Sequence, residues 1–138
     1  MASLNGGTSV TEQTTASRTG GSGDITVASP ITWTGGASLT LNPVNNLTVN
    51  APITFGGTAG AASLNLIAAN ALAINANVTV KGIGAVTLDY ATNAVTNLSF
   101  GNGAALTFAN ADGSAATSSA GGALTIQGGE ARLTLIWG

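Results

Sequence analysis

The side chains that could carry acid–base or metal chemistry are few and widely separated in this chain. Five carboxylates and three basic residues are spread over 138 residues, and neither cysteine nor histidine occurs. The chain therefore lacks the commonest general base, the commonest transition-metal ligand and any thiolate or disulfide. Glycoside cleavage by two facing carboxylates is the acid–base chemistry left to consider. The five carboxylates are Glu12, Asp24, Asp89, Asp112 and Glu130.

Short triplets of the form apolar–polar–apolar recur along the chain, and they are the elements that would position these groups. They form three columns that recur in one order, with a repeat of roughly 20 to 25 residues, a length typical of stacked architectures. The first column comprises Leu39–Leu41, Leu64–Leu66, Val86–Leu88, Leu106–Phe108 and Leu124–Ile126. The second comprises Ile25–Val27, Leu47–Val49, Leu72–Ile74 and, more weakly, Val95–Asn97. The third comprises Ile31–Trp33, Ile53–Phe55, Val78–Val80 and Leu98–Phe100.

The alternation within each triplet indicates a strand with one buried face. Side chains alternate along a strand, so the outer residues of a triplet face inward and the middle residue faces outward. Glycine and asparagine between the triplets tolerate the positive φ that tight corners require. No stretch shows the 3.6-residue period of a helix. The sequence therefore predicts an all-β parallel β-helix, or β-solenoid, with three short strands per rung, and a meandering β-sandwich is the alternative.

Stacking of equivalent triplets places like residues above one another. We expect an internal apolar column of Leu39, Leu64, Val86, Leu106 and Leu124. We also expect an external hydroxyl column of Thr32, Thr54, Thr79 and Ser99. No two carboxylates share a column, so we interpret them as solvated surface groups and predict no catalytic, cofactor-binding or metal-binding residues.

Three other patterns admit a functional and a structural interpretation. The outward threonines could match an ice lattice, but each strand carries one rather than two, so β-propensity on a solvent face is preferred. The third-column aromatics Trp33, Phe55 and Phe100 are interpreted as stacked core rather than a sugar platform. The segment 110–113 supplies one carboxylate for calcium, so an Asx-type turn is preferred there.

The two ends differ from the repeats. Residues 1–22 are rich in threonine, serine and glycine and are predicted to be a disordered or loosely attached leader, which leaves the β-helix to residues 23–138. A polar loop is predicted at 109–122, followed by a hairpin or partial rung at 123–137. The last strand is uncapped, so the chain is expected to associate end to end. The predicted assembly edge comprises Leu133, Thr134, Leu135, Ile136 and Trp137.

Charge and hydropathy exclude two classes of partner. A net charge of −2 with three basic residues does not supply the cationic cluster that nucleic acid requires. Polar residues interrupt every apolar run well before the roughly 18 residues of a membrane span, so no transmembrane helix is expected.

The stretch 23–57, "GDITVASPITWTGGASLTLNPVNNLTVNAPITFGG", resembles the repeats of large bacterial adhesins of the filamentous-haemagglutinin type. The segment "GGALTIQGGEARLTLI" looks like one that often closes such a block, although Leu133 stands where an aromatic residue is usual. The resemblance covers residues 23–136. It implies a right-handed β-helix, secretion to the bacterial cell surface, and a non-catalytic role as an adhesin shaft or stalk with an unknown receptor or glycan.

Two further hypotheses stand beside the shaft. One is a self-assembling β-solenoid that forms oligomers or fibres through its open ends. The other is a polysaccharide- or ice-binding module.

Overall fold

The computed structural model describes residues 2–14, 23–57, 61–90, 98–114, 122–128 and 131–136, and these form one helical turn, α1 (Ala2–Asn5), and three β-sheets. The first sheet contains, in spatial order, β1 (Val10–Gln13), β4 (Ser38–Asn42), β7 (Ser63–Ile67), β10 (Ala85–Tyr90), β13 (Ala123–Gly128) and β14 (Ala131–Ile136). The second contains β2 (Ile25–Val27), β5 (Leu47–Val49), β8 (Leu72–Ile74) and β11 (Leu98–Phe100). The third contains β3 (Ile31–Trp33), β6 (Ile53–Gly56), β9 (Val78–Lys81) and β12 (Leu106–Ala109).

Each turn of the chain adds one strand to each sheet, and three turns separate β2 from β11. Neighbouring strands within the solenoid are parallel and in register, as in the pairing of Leu39 with Leu64 and of Leu64 with Val86. The prediction of a parallel β-solenoid with three strands per rung is confirmed.

The interior is filled by the outer residues of the triplets. In β4, β7 and β10 the residues alternate between buried and half-buried, so the apolar side chains point inward and the threonines and asparagine point outward. Among the described residues, no polar or charged residue is buried. The rings of Trp33 and Phe55 stack with centroids 4.8 Å apart and planes 12° from parallel. The Trp33 indole N–H donates to the carbonyl of Ala37 at 3.0 Å, which satisfies the one polar group of this buried side chain.

Two triplets occupy a different sheet from the one predicted. Leu98–Phe100 pairs with Leu72–Ile74 in the second sheet rather than continuing the third column. Leu106–Phe108 pairs with Val78–Val80 in the third sheet rather than continuing the first column. The triplets are chemically alike, so their assignment depended on connection lengths, and the connections of the last turn are longer than those before. The weak second-column candidate Val95–Asn97 lies outside the described residues.

The N-terminal segment joins the solenoid as a strand. Val10–Gln13 pairs in parallel with β4, Val10 opposite Leu39 and Glu12 opposite Leu41, so residues 10–13 open the first sheet. Residues 15–22 of the predicted leader lie outside the described residues. Of the helices that the structure describes, none is long and apolar enough to cross a membrane.

The C-terminal segment continues the first sheet and then reverses. β13 pairs in parallel with β10, whereas β14 returns antiparallel to β13, with Leu124 opposite Leu135. Residues 123–136 therefore form a hairpin whose first strand belongs to the solenoid. Of the predicted polar loop, residues 115–121 lie outside the described residues.

Candidate interaction surfaces

The described carboxylates lie far apart in the fold, as the sequence pattern predicted. Asp24 precedes β2 at a corner, Asp89 is half-buried near the end of β10, and Asp112 lies in the turn after β12. Within the described ranges, no three acidic, histidine or cysteine side chains come together as a metal site. Glu130 lies outside these ranges. The geometry brings no pair of these carboxylates together for acid–base catalysis.

Side-chain ladders at the corners explain the role of Asp24. Its Oδ1 accepts a hydrogen bond from the backbone N–H of Asn46 at 2.9 Å. One turn further, the Oδ1 of Asn46 accepts from the backbone N–H of Ala71 at 3.2 Å. Similarly, the Asn75 side-chain amide donates to Asn50 Oδ1 at 3.0 Å. These residues therefore hold successive turns together, because each side-chain oxygen satisfies a backbone or amide donor of the next turn.

Asp112 organises a tight turn. Its Oδ1 accepts from both the backbone N–H of Ser114 at 2.9 Å and the Ser114 hydroxyl at 2.6 Å. These hydrogen bonds, the hydroxyl first, lower the pKa of the fully exposed Asp112 carboxyl below its ordinary value. The Asx-type turn interpretation of this segment is confirmed by the bond two residues on.

The outward face of the third sheet carries an unbroken threonine column. Thr32, Thr54, Thr79 and Thr107 are directly in register across four strands. The fourth position is Thr107 rather than the predicted Ser99, because β12 and not β11 ends this sheet. The column is one threonine wide, so neighbouring hydroxyls repeat along the solenoid axis at about 4.8 Å with no second row on the same strands.

The outward face of the first sheet is held together by its own side chains. The hydroxyls of Ser38 and Ser63 lie 2.6 Å apart, and the Asn65 amide donates to the Thr40 hydroxyl at 3.1 Å. These bonds join adjacent strands, so the polar groups on this face stabilise the stack as well as contacting solvent.

The third-column aromatics separate into two environments. Trp33 and Phe55 are buried and stacked, as predicted. Phe100 lies in the second sheet instead, at the last strand that the structure describes there, and it is 43% exposed. The three aromatics therefore do not form one row.

The predicted assembly edge lies on a strand that projects beyond the other two sheets. Leu133, Thr134, Leu135 and Ile136 form most of β14, the last strand of the first sheet, whereas Trp137 lies outside the described residues. The first sheet has six strands and the other two have four, and all three begin in the same turn. The first sheet therefore overhangs the C-terminal end by two strands, about 10 Å at roughly 4.8 Å per strand.

The N-terminal end carries a cap that the sequence pattern did not predict. Leu4 of α1 is 2% exposed and packs in the core, and the Asn5 side chain accepts the backbone N–H of Thr34 at 3.0 Å. The Ser9 hydroxyl accepts the backbone N–H of Ser38 at 3.1 Å. A single leucine among small polar residues was the one available signal for this cap.

Next to the cap, the end of the solenoid opens into a cleft of about 440 Å³. Its walls include Ile25, Val27 and Ile31, and Leu41 lies one turn deeper. Glu12 of β1 also lines the cleft, in register with Leu41 and therefore at an interior position of the stack. Sequence reasoning missed this position because β1, "VTEQ", does not follow the apolar–polar–apolar pattern.

No protein-family model matches the chain, and no curated protein or solved structure is significantly similar to it.

Proposed function

We propose that this chain is a non-catalytic structural and adhesive segment, a shaft or stalk repeat block, of a secreted bacterial surface adhesin. The observation that carries the proposal is the in-register stacking of three sheets around an interior in which no described polar residue is buried. Each turn of such a stack depends only on its neighbours, so its length can grow without a change of design. A spacer that presents binding regions located elsewhere requires this property.

The outer surfaces support the same function. The described outward positions of the strands carry mainly threonine, serine and asparagine, and several of these bond to the next turn. Such side chains stabilise the rod and contact solvent with little charge. The resemblance of residues 23–136 to filamentous-haemagglutinin-type repeats supports the location at the cell surface.

The experiment that tests the spacer role measures binding by the isolated chain. The purified protein is applied to a glycan array and to immobilised matrix proteins, beside a Thr54→Lys variant that interrupts the threonine column. A spacer is expected to show no saturable binding in either form. Saturable binding that Thr54→Lys abolishes would instead assign this face as a polysaccharide-binding surface.

An ice-recrystallisation assay on the same two proteins tests the lattice-binding alternative. Because the column is one threonine wide, no inhibition is expected from either protein. Inhibition by the original chain that is lost in Thr54→Lys would favour an ice-binding module.

The location is tested on intact cells of the producing bacterium with an antibody against the folded chain. Labelling of unpermeabilised cells is expected. Detection only after permeabilisation would contradict the proposed surface location.

The second candidate function is self-assembly through β14, and the overhang of the first sheet is the observation that favours it. β14 is the last strand of its sheet, and its projection leaves room for a strand of another copy to pair with it. Light scattering after size exclusion compares the original chain with Leu135→Lys, which places a charge on this edge. Association of the original chain that the substitution removes is expected; a monomer for both at high concentration would refute this candidate.

A further inference from the structure

The outer edge of β2 offers one free hydrogen-bonding pair at the N-terminal end. Ile25 donates its backbone N–H to the Asn46 carbonyl at 3.0 Å, and Val27 accepts from the Asn50 N–H at 2.9 Å, so both direct their backbone groups toward β5. Backbone groups of successive strand residues point to opposite edges, so the N–H and C=O of Thr26 point outward. β2 ends its sheet, and no described residue bonds to these two groups.

The cleft beside this edge is apolar except for one charge. Ile25, Val27 and Ile31 are incompletely covered on this side or line it directly, and Glu12 is the one ionisable side chain among the described residues that line it. Glu12 occupies the interior register position that Leu41 holds in the next turn. An inward-pointing charge at the end of a β structure is a recognised means of preventing another chain from pairing there.

We propose that the N-terminal end is a docking surface for a second copy of this chain, and that the charge of Glu12 keeps it closed. The two copies would meet about a two-fold axis through Thr26, with β2 of one copy antiparallel to β2 of the other. This interface is separate from the β14 edge and does not rest on the shaft function.

The sequence of β2 is suited to this pairing. Reversal of Ile–Thr–Val leaves an apolar–polar–apolar triplet, so both copies would keep their apolar side chains inward and Thr26 outward. Two residues that face each other at a hydrogen-bonded position of an antiparallel pair exchange both of their backbone bonds. The two Thr26 residues would therefore satisfy the free N–H and C=O of both edges.

The shape of the two ends favours this arrangement over head-to-tail stacking. The first sheet overhangs the C-terminal end by two strands, whereas the three sheets begin in one turn at the N-terminal end. A copy stacked head to tail would meet the overhang about 10 Å before its second and third sheets could pair. Two N-terminal ends meet without that obstacle, and they bring two Glu12 carboxylates into one apolar junction, where like charges repel.

The test compares variants of Glu12 by sedimentation equilibrium over a concentration series. Glu12→Leu, which matches the residue one turn away, and the neutral Glu12→Gln are expected to dimerise at least about tenfold more tightly than the original chain, because like-charge contacts at interfaces are strongly unfavourable. Glu12→Lys, which keeps a charge, is expected to stay monomeric. Asp89→Leu makes the same chemical change on the outer face of β10, and its association is expected to be unchanged.

Two double variants locate the joint. Addition of Thr26→Pro to Glu12→Leu removes the edge N–H that the dimer needs, while an edge strand tolerates proline, so the monomer is expected to return. Addition of Leu135→Lys is expected to leave the dimer intact, which distinguishes this surface from the β14 edge. Circular dichroism of each variant verifies that it is folded, and Glu12→Gln serves if Glu12→Leu does not fold.

Three outcomes would overturn the proposal. One is that folded Glu12→Leu and Glu12→Gln associate no more tightly than the original chain. Another is that the Thr26→Pro double variant dimerises as strongly as Glu12→Leu alone. The third is open-ended oligomers instead of dimers, which would indicate head-to-tail stacking.

Discussion

Substitution of adjacent residues in β7 tests the inward and outward alternation on which the fold depends. Leu66 is fully buried and lies between Leu41 and Leu88 of the neighbouring turns. Asn65, next to it, is half-buried on the outer face and donates to the Thr40 hydroxyl at 3.1 Å. Replacement of each by aspartate adds the same charge to the same strand, on opposite faces.

The two substitutions differ in cost because of their surroundings. Removal of the Leu66 side chain alone costs about 2–5 kcal/mol, as for other buried leucines. An unpaired carboxylate among leucines adds several kcal/mol, or takes up a proton at a similar cost. The Asn65→Asp variant loses at most one partly exposed hydrogen bond, about 0.5–1.5 kcal/mol, and the Thr40 hydroxyl can donate to the new carboxylate. Since single domains are stable by about 5–15 kcal/mol, Leu66→Asp is expected to lose most of its stability.

Urea unfolding followed by tryptophan fluorescence and circular dichroism measures the difference. Leu66→Ala is included as a graded variant that gives a measurable free energy of unfolding if Leu66→Asp does not fold. The expected order of stability is the original chain, Asn65→Asp, Leu66→Ala and then Leu66→Asp. Equal midpoints for the two aspartate variants would refute the assignment of the two faces.

Two further predictions concern the corners. Gly56 has a φ of +92°, and a Cβ there would collide with the Lys81 carbonyl of the next turn, so Gly56→Ala is expected to destabilise the fold by more than about 1–3 kcal/mol. Gly103→Ala, with a φ of +79° but open space around it, is the control for strain without collision and is expected to cost less in thermal melts; the reverse order would contradict this packing. Ser114→Ala is expected to raise the pKa of Asp112 toward its ordinary value in a carboxyl NMR titration, because the hydroxyl bond is the main cause of its lowering. A lowered folded pKa contributes stability above the unfolded pKa and loses it as the pH falls through the folded value, so acid should loosen this turn below the usual aspartate range, and an unchanged titration in Ser114→Ala would refute the cause.

The local pattern of the sequence was sufficient for the fold class and for most of the core. Apolar–polar–apolar triplets predict buried and exposed faces because side-chain direction in a strand follows from the backbone alone. Their recurrence in one order predicted the stacking of Leu39 on Leu64 and of Ile53 on Val78, which the structure confirms. The acidic residues likewise fell at the separate positions that their places in the repeat predicted.

Only the tertiary structure decided the last turn and the two ends. Leu98–Phe100 and Leu106–Phe108 carry the same polarity pattern, so their sheets depended on how far the longer connections of that turn carry the chain. β1 was missed because a terminal strand has neighbours on one side only, and Glu12 can therefore occupy an interior position without burial. The overhang of the first sheet depends on the antiparallel return of β14, which a triplet pattern does not distinguish from another parallel rung. Side-chain periodicity is a local property of the chain, whereas strand register and the closure of an end are set by which segments meet in space.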